Sequence, residues 1–424
     1  MQAQIRFMLS RIKEKLWVKP LFICLLSIAA AFLAQVTDQM GLFPKAPEVT
    51  SESIKMLLST ISSSMLVIAV FAVGAMLSSY QSASSAATPR AFTLVLADDV
   101  SQNALSTFIG AFIFSIVAQV ALTNGYYERA GRLTLFVMTI FVFALVIFSF
   151  IRWVDRIARL GRLDTIIKKT EDATEKALCR HLNKPTLGAL KAEGRIDGVA
   201  IYAQTIGYIQ RIDVDAIQNI AKENDIFVEV ASLPGKFAAP DKPVAYLRPP
   251  QIVLAEKVDT KAISKCFFIG SSRTFDEDPR FGFVVLSEIA SRALSPGIND
   301  PGTAIRIVDA FVRLLSQCAQ NSTQAEPKQV DFDRVAIPEI SLSDMFDDAY
   351  NPVARDGAGT IEVVIKLQKS LSTLADLGSV TMKEAALGRA NFVFAHAENA
   401  LKVSEEIGKL RLASDFALHR ESLS

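Results

Sequence analysis

Four apolar stretches, roughly residues 16–36, 56–78, 107–123 and 134–151, fill the first 151 residues of this 424-residue chain. Each approaches the ~20 residues that an α-helix needs to cross a ~30 Å hydrocarbon core. A backbone inside that core must satisfy its own hydrogen bonds, and a helix does so within one segment. The first third of the chain is therefore expected to be four membrane-spanning helices, and the rest reads as soluble.

Charge next to the spans sets the expected orientation, because Arg and Lys in short flanks resist translocation. Arg6, Arg11, Lys13, Lys15 and Lys19 surround the start of the first stretch, and Arg152, Arg156, Arg159, Arg162, Lys168 and Lys169 follow the fourth. Both termini are expected in the cytoplasm. The 37–55 connection sets Lys45 and Lys55 against Asp38, Glu48 and Glu52, and the 124–132 connection is too short for a domain, so both are expected to face outward. A secretory signal is the alternative for the first stretch, with its basic flank and Ala29, Ala30 and Ala31. Its removal would leave three spans and break the charge pattern. Arg152, Arg156, Arg159 and Arg162 keep helical spacing, which places a stripe for anionic headgroups on a helix continuing from the fourth span toward His181.

Apart from Lys19 the spans hold no Asp, Glu, Lys, Arg or His in their cores. Proton relays, ion-coupled carriers and voltage sensors depend on such groups. The spans carry small and hydroxylated residues instead: Ser59, Ser62, Ser63, Ser64, Ala69, Ala72, Gly74 and Ala75 in the second, and Gly110, Ala111, Ser115, Ala118 and Gln119 in the third. One reading is close helix packing. The other is that Ser59, Ser62, Ser63 and Gln119 line a narrow pore enclosed by a ring of subunits. Between these spans, Thr88-Pro89 reads as the cap and first turn of a short amphipathic helix, with Phe92, Leu94, Val95 and Leu96 on its apolar side and Asp98 and Asp99 in water.

Beyond residue 196 the pattern changes to alternation. Residues 203–212, 226–231 and 244–247 read as strands, 213–222 as a helix capped by Asp213, and Leu233-Pro234-Gly235 as a turn. Gly207 marks a bulge or a close approach. Residues 318–343 read as a polar surface loop, 359–377 as a helix, and 380–418 as one long helix in which Phe392 and Phe394 add bulk on two faces, suited to packing between subunits as well as within one. Cys24, Cys179, Cys266 and Cys318 are scattered, with no disulfide framework or zinc spacing. His181, His396 and His419 are isolated, so an imidazole metal site is not expected. The net charge of +1 says little about nucleic acid, but no basic face interleaved with aromatics is present in the soluble part, so a nucleic-acid partner is not expected. No nucleotide-binding signature is present.

The densest segment runs Arg273-Thr274-Phe275-Asp276-Glu277-Asp278-Pro279-Arg280-Phe281-Gly282, followed by an apolar helix and then Ala293-Leu294-Ser295-Pro296-Gly297-Ile298-Asn299-Asp300-Pro301. With Gly207-Tyr208-Ile209-Gln210-Arg211-Ile212-Asp213 and the four spans, these runs make the chain resemble the bacterial predicted membrane proteins of the DUF2254 family over nearly its whole length. The resemblance implies a bacterial inner-membrane location and this architecture; it brings no reaction, substrate or catalytic residue. Read physically, Pro296-Gly297 stops one helix and Asp300-Pro301 caps and starts the next. The functional reading is that Asp276, Glu277, Asp278, Asn299 and Asp300 converge as oxygen ligands for a cation or a polar partner. Ser295 has neither a nearby histidine nor a nucleophile-elbow pattern, so an enzyme is not expected.

The expected protein is a membrane α-helical domain of four transmembrane helices (1–160), a helical linker (161–195), a small β-rich or mixed cytoplasmic module (196–272) and a helical cytoplasmic domain (273–424). It needs no cofactor. Its expected partners are the lipid bilayer, further copies of itself, and ions or a small ligand. The leading functional expectation is a channel or passive permeation pathway gated by the cytoplasmic part, and the rival is a non-conducting scaffold or sensor.

Overall fold

A computed structural model describes residues 17–40, 47–96, 99–159, 161–194, 198–248, 258–322 and 330–418. The chain divides into two compact units, Met1–Ile166 and Ile167–Ser424.

In the first unit the apolar stretches are helices: α1 (Val18–Gln39), α2 (Ser51–Ala86), a short α3 (Pro89–Leu96), α4 (Asp99–Thr123) and α5 (Arg129–Ile157). Four of them are long and apolar enough to cross a membrane. Their ends meet in alternation, which makes the bundle up-down-up-down. Lys19 at the start of α1 pairs with Asp99 at the start of α4. At the opposite face, Asp38 near the end of α1 accepts the backbone N–H groups of Glu128 at 2.8 Å and Gly131 at 2.6 Å, where α5 begins. The Tyr127 hydroxyl donates to the Ala31 carbonyl at 2.9 Å, and Arg132 reaches Ser51 at 3.3 Å.

Helix α4 is central, since 44% of its apolar window is buried against 22% or less in the other three. Around it lie two layers, one with Ala31, Ile54, Leu58, Phe114, Ala118 and Leu135, the other with Ile61, Met65, Ala72, Phe108, Ala111, Val146 and Trp153. The small residues of α4 serve this packing. A Cβ on Gly110 would overlap Ile23 of α1 and lie 3.1 Å from the Ser27 hydroxyl, and small residues allow such approach where no hydrophobic force drives helices together.

Helix α3 begins as expected: Thr88 accepts the Ala91 N–H at 3.4 Å, Ala91 is buried, and Phe92 meets Tyr80 edge-on at 5.7 Å. The side chains of Val95 and Leu96, and Asp98, lie outside the described residues. The expected continuation of the fourth span toward His181 is corrected. Helix α5 ends at Ile157 and α6 (Leu163–Asn183) starts afresh. The turn contains Gly161 at φ +84°, where a Cβ would sit 2.8 Å from the Ser79 carbonyl oxygen, so only glycine fits.

The second unit contains β1 (Ala189–Lys191), β2 (Val199–Tyr202), β3 (Gly207–Ile212), α7 (Val214–Glu223), β4 (Phe227–Val230), β5 (Phe237–Ala238), β6 (Pro243–Arg248), α8 (Thr260–Ser264), β7 (Phe267–Gly270), α9 (Pro279–Ala293), α10 (Pro301–Ser322), β8 (Phe332–Ile337), α11 (Leu342–Asp356), α12 (Ile361–Leu377), α13 (Val380–Ala400) and α14 (Ser404–Leu418). Five strands form one sheet in the order β1-β8-β4-β6-β2, and β5-β3-β7 form a second. β8 runs parallel to both β1 and β4, while every other pairing is antiparallel. Asp213 caps α7 through the Ala216 N–H at 3.2 Å, and a Cβ on Gly207 would lie 2.5 Å from the Gly270 carbonyl, the close approach its position suggested.

The β-rich region also holds β2, β5 and β7 outside the three stretches read as strands, and two strands lie beyond that region altogether. β8 lies inside the stretch read as a loop and β1 inside the stretch read as a helical linker. The polar start of β8 disguises it, and the fold satisfies that start: the Arg334 N–H donates to Gln218 at 3.0 Å, and its guanidinium pairs with Asp225 at 2.9 Å. The helical part packs around Phe283, Phe311, Phe346 and Tyr350. The long terminal helix is also corrected, because Leu401 leaves helical geometry at ψ 135° and divides it into α13 and α14. Phe392 is spent within the chain on His396 at 4.5 Å and Arg389 at 5.2 Å.

Asp38 satisfies two N–H groups that α5 cannot bond internally. Asp38→Ala is expected to lower the unfolding free energy of the detergent-solubilised chain by about 1–2 kcal/mol, with Asp38→Asn retaining most of it, as measured by chemical denaturation followed by far-ultraviolet circular dichroism.

Candidate functional site

Because β4 and β8 are parallel neighbours, their carboxyl ends open on the same side of the sheet. The chain leaves β4 through 231–236 and leaves β8 through 338–341, and the start of α9 closes the third side. The resulting cleft of about 300 Å³ is lined by Ala231, Leu233, Pro234, Gly235, Lys236, Arg273, Asp278, Arg280, Pro338, Glu339, Ile340, Ser341 and Asp344.

Asp278 organises this wall. It is the N-cap of α9, accepting the Phe281 N–H at 3.1 Å ahead of Pro279 in the first turn. The same carboxylate takes a two-pronged bond from Arg273, Nε at 2.7 Å and Nη2 at 2.9 Å, and the guanidinium lies 5.1 Å from the centre of the Phe281 ring. Gly235, at φ +89°, packs so closely on this carboxylate that a Cβ would overlap it. Burial pushes the Asp278 carboxyl up, and the Arg273 pair opposes the shift. Two residues on, Arg280 bonds Asp348 through Nε at 2.6 Å and Nη2 at 3.2 Å and bonds Asp344 through Nη1, tying α9 to α11. Glu339 pairs with Lys191 at the end of β1, 2.7 Å away. Gly282 lets α9 cross α6, since a Cβ there would overlap the Thr174 side chain.

The five oxygen ligands expected to converge do not. Asp276 is exposed. Glu277 turns to β3, 3.4 Å from the Arg211 Nε and 3.4 Å from the Ile212 N–H. Asp278 is committed to Arg273. Asn299 and Asp300 lie beyond the other end of α9, whose 15 residues span ~22 Å. There Asp300 caps α10 through the Thr303 N–H at 3.1 Å and hydroxyl at 2.6 Å, and Asn299 turns the chain at φ +51°. The helix-break reading accounts for these two residues. Among the described residues no group of three or more His, Cys, Asp or Glu is placed to hold a metal ion. The Ser295 hydroxyl donates to the Arg292 carbonyl at 2.6 Å.

In the first unit, Ser59 and Ser63 are exposed on the face of α2 away from Ile54, Leu58, Ile61 and Met65, and Ser62 is half-buried at the edge of that apolar stripe. They line no passage among the described helices of the single chain. The Ser62 and Ser63 hydroxyls donate back to the Ser59 carbonyl at 3.0 and 2.8 Å. Gln119 is half-buried on α4. Arg152 and Arg159 are exposed, Arg152 over the Phe148 ring at 5.5 Å and Arg159 paired with Asp155 at 2.9 Å. Arg156 is half-buried, and Arg162 is exposed beyond the Gly161 turn.

Lys236, Glu339, Asp344 and Asp348 escaped the sequence reading, and Arg280 was seen only as part of an acidic run, because the fold gathers them from three segments spread between 236 and 348. The Leu233-Pro234-Gly235 turn beside a strand end was the one signal that could have led to them.

The family model described as "Predicted membrane protein (DUF2254)" matches residues 13–373, and the chain belongs to that family. Curated relatives include an uncharacterized protein of Mycobacterium tuberculosis and one of Mycobacterium bovis, each 28% identical over 198 residues, 42% of this chain and 35% of the relative. The match thus spans about a third of the length of these relatives. No solved structure matches.

Burial pushes Glu277 from 4.5 up to about 7, with Arg211 opposing the shift. A carboxyl whose folded pKa is raised stabilises the fold while it is protonated, and the contribution is lost as pH climbs through the folded value. Thermal stability is therefore expected to fall between pH 4.5 and about 7, by at most about 3 kcal/mol from this group. Glu277→Gln should flatten that slope in a Tm series across this range.

Proposed function

We propose that this protein is a membrane-anchored sensor, with both termini in the cytoplasm, whose second unit binds a small molecule in the cleft at the carboxyl ends of β4 and β8. The cleft carries the reading. In sheets with parallel strands, ligands bind in the crevice outside the carboxyl ends of the strands, where connections diverge and leave room. Here the crevice has an apolar floor, Leu233, Pro234, Pro338 and Ile340, and a small number of fixed charged groups. That division of labour is typical of small-molecule sites. The proposal assigns no catalytic residue. Ala231 is exposed at the rim, so Ala231→Trp is expected to fill the cleft without lowering Tm. A metabolite library screened by thermal shift against the wild-type chain should yield a compound whose stabilisation Ala231→Trp removes; a library that never distinguishes the two proteins overturns the reading.

A second reading has its own observation. The uncovered faces of α1 and α5 carry Leu21, Phe22, Leu25, Phe141 and Phe148, as a lipid-facing surface does, and most of α2 does the same with Met56, Val67, Val70 and Phe71, but over residues 59–64 its exposed side is a patch of Ser59, Thr60, Ser63 and Ser64. Such a hydroxylated patch suits contact with other copies of the chain, and a ring of such patches would line the narrow part of a permeation pathway along α2. Ion flux into liposomes should then be abolished by the double substitution Ser59→Leu/Ser63→Leu in an oligomer of unchanged mass. Flux absent from the wild type across varied ions and pH would leave α2 as a packing face.

A further inference from the structure

We infer that the cleft recognises the oxyanion of a small carboxylate or phosphate ligand, held by Arg273 and Lys236. This rests on the ligand-binding reading and adds the chemistry of the ligand.

The inference comes from which hydrogen-bonding capacity remains unspent. Three carboxylates line the cleft, and each already has a cation: Asp278 has Arg273, Asp344 has Arg280 and Glu339 has Lys191. Arg280 is largely committed in turn, because each of its three nitrogens gives a bond to Asp344 or Asp348. Two donors are different. Arg273 commits Nε and Nη2 to Asp278 and its guanidinium lies against the Phe281 ring, which leaves Nη1 without a partner among the described residues. Lys236, exposed at the rim, has no carboxylate partner among the described residues. A cation ligand would meet carboxylates already neutralised. An anion would meet an ammonium and a guanidinium edge with donors to give.

Arg273 is also held for the task. Its bond to a nearly buried Asp278 and its stacking on Phe281 fix the guanidinium plane before any ligand arrives, so little side-chain entropy is lost on binding. Charge-assisted bonds to carboxylate or phosphate are about twice as strong as neutral ones. The surrounding Leu233, Pro234 and Ile340 would take a compact apolar or neutral body attached to that oxyanion.

The test uses the full chain in detergent at constant ionic strength, with Tm read against inorganic phosphate, acetate, ethylammonium and glycerol. Phosphate or acetate is expected to raise Tm with saturation, as a ligand that binds only the folded state must. Lys236→Glu, a surface change, should weaken the apparent affinity by about tenfold or more. Arg273→Lys keeps a cation for Asp278 but loses the two-pronged bond and the free edge, and should weaken oxyanion binding, read as the ligand-induced rise above the variant's own lower baseline Tm. Oxyanions that leave Tm unchanged, or raise it equally in wild type and Lys236→Glu, overturn the inference. Stabilisation by ethylammonium or glycerol alone that Ala231→Trp removes would overturn the oxyanion and leave the ligand-binding cleft standing; no response to any compound, with Ala231→Trp indistinguishable from wild type in the library screen, would overturn both. Once phosphate binding is seen, displacement by phosphatidic acid micelles assigns a lipid headgroup as the source, and its failure assigns a soluble ligand; both uphold the oxyanion site.

Discussion

Water is absent from the hydrocarbon core, and the construction of the first unit depends on that absence. Each spanning helix closes its own backbone hydrogen bonds, but nothing apolar is gained by moving a leucine from lipid to a neighbouring helix. Packing must come from close fit and from the few polar groups at the helix ends. Gly110 against Ile23 and Ser27 gives the fit, and α4 occupies the centre with its small and hydroxylated side turned inward. The ends are tied by Asp38 on the α5 amides and by Lys19 on Asp99. Inside the bundle, Ser106 and Thr139 return their hydroxyl protons to the carbonyls of Gln102 and Leu135, so their polarity costs little.

The second unit meets the opposite condition, since water rewards apolar burial and penalises a buried charge left unpaired. Asp278 shows how the penalty is met. It receives Arg273 from one side and the Phe281 N–H in the first turn of α9 from the other, with Gly235 pressed against it. One carboxylate thus joins the turn after β4, the strand end after β7 and the start of α9. Such a pair is weak evidence for stability, because desolvation offsets much of the attraction, but losing one partner is costly. Its structural value lies in register: α9 cannot shift along its axis without breaking the cap and the ion pair together.

How much of this was legible depends on how local the physics is. The spans, the Asp213 cap, the Asp300 break and the Thr88 start of α3 follow from residues within a few positions of one another, and the structure agrees with each. The helix break at Gly161 was missed because the arginine stripe kept helical spacing across it; the reason for the glycine is the Ser79 carbonyl, eighty-two residues earlier. β8 was missed because its polar residues are satisfied by Gln218 and Asp225, which no local pattern announces. The acidic run from Asp276 to Asp278 was visible, but its meaning was not. Counting carboxylates suggested a cation, while the positions of Arg211 and Arg273 show each of the last two already matched by an arginine.

That difference bears on how charged motifs should be weighed. A run such as Asp-Glu-Asp has the donor atoms of a calcium loop, yet a strand, a turn or a helix cap can consume each carboxylate separately. Glu277 and Asp278 are adjacent in sequence and face different elements, β3 and the cleft. What remains for a ligand is set by the groups left over after the fold has paired its charges. In the cleft that remainder is a lysine and one edge of an arginine, and its sign is positive even though acidic residues dominate the motif that first drew the eye.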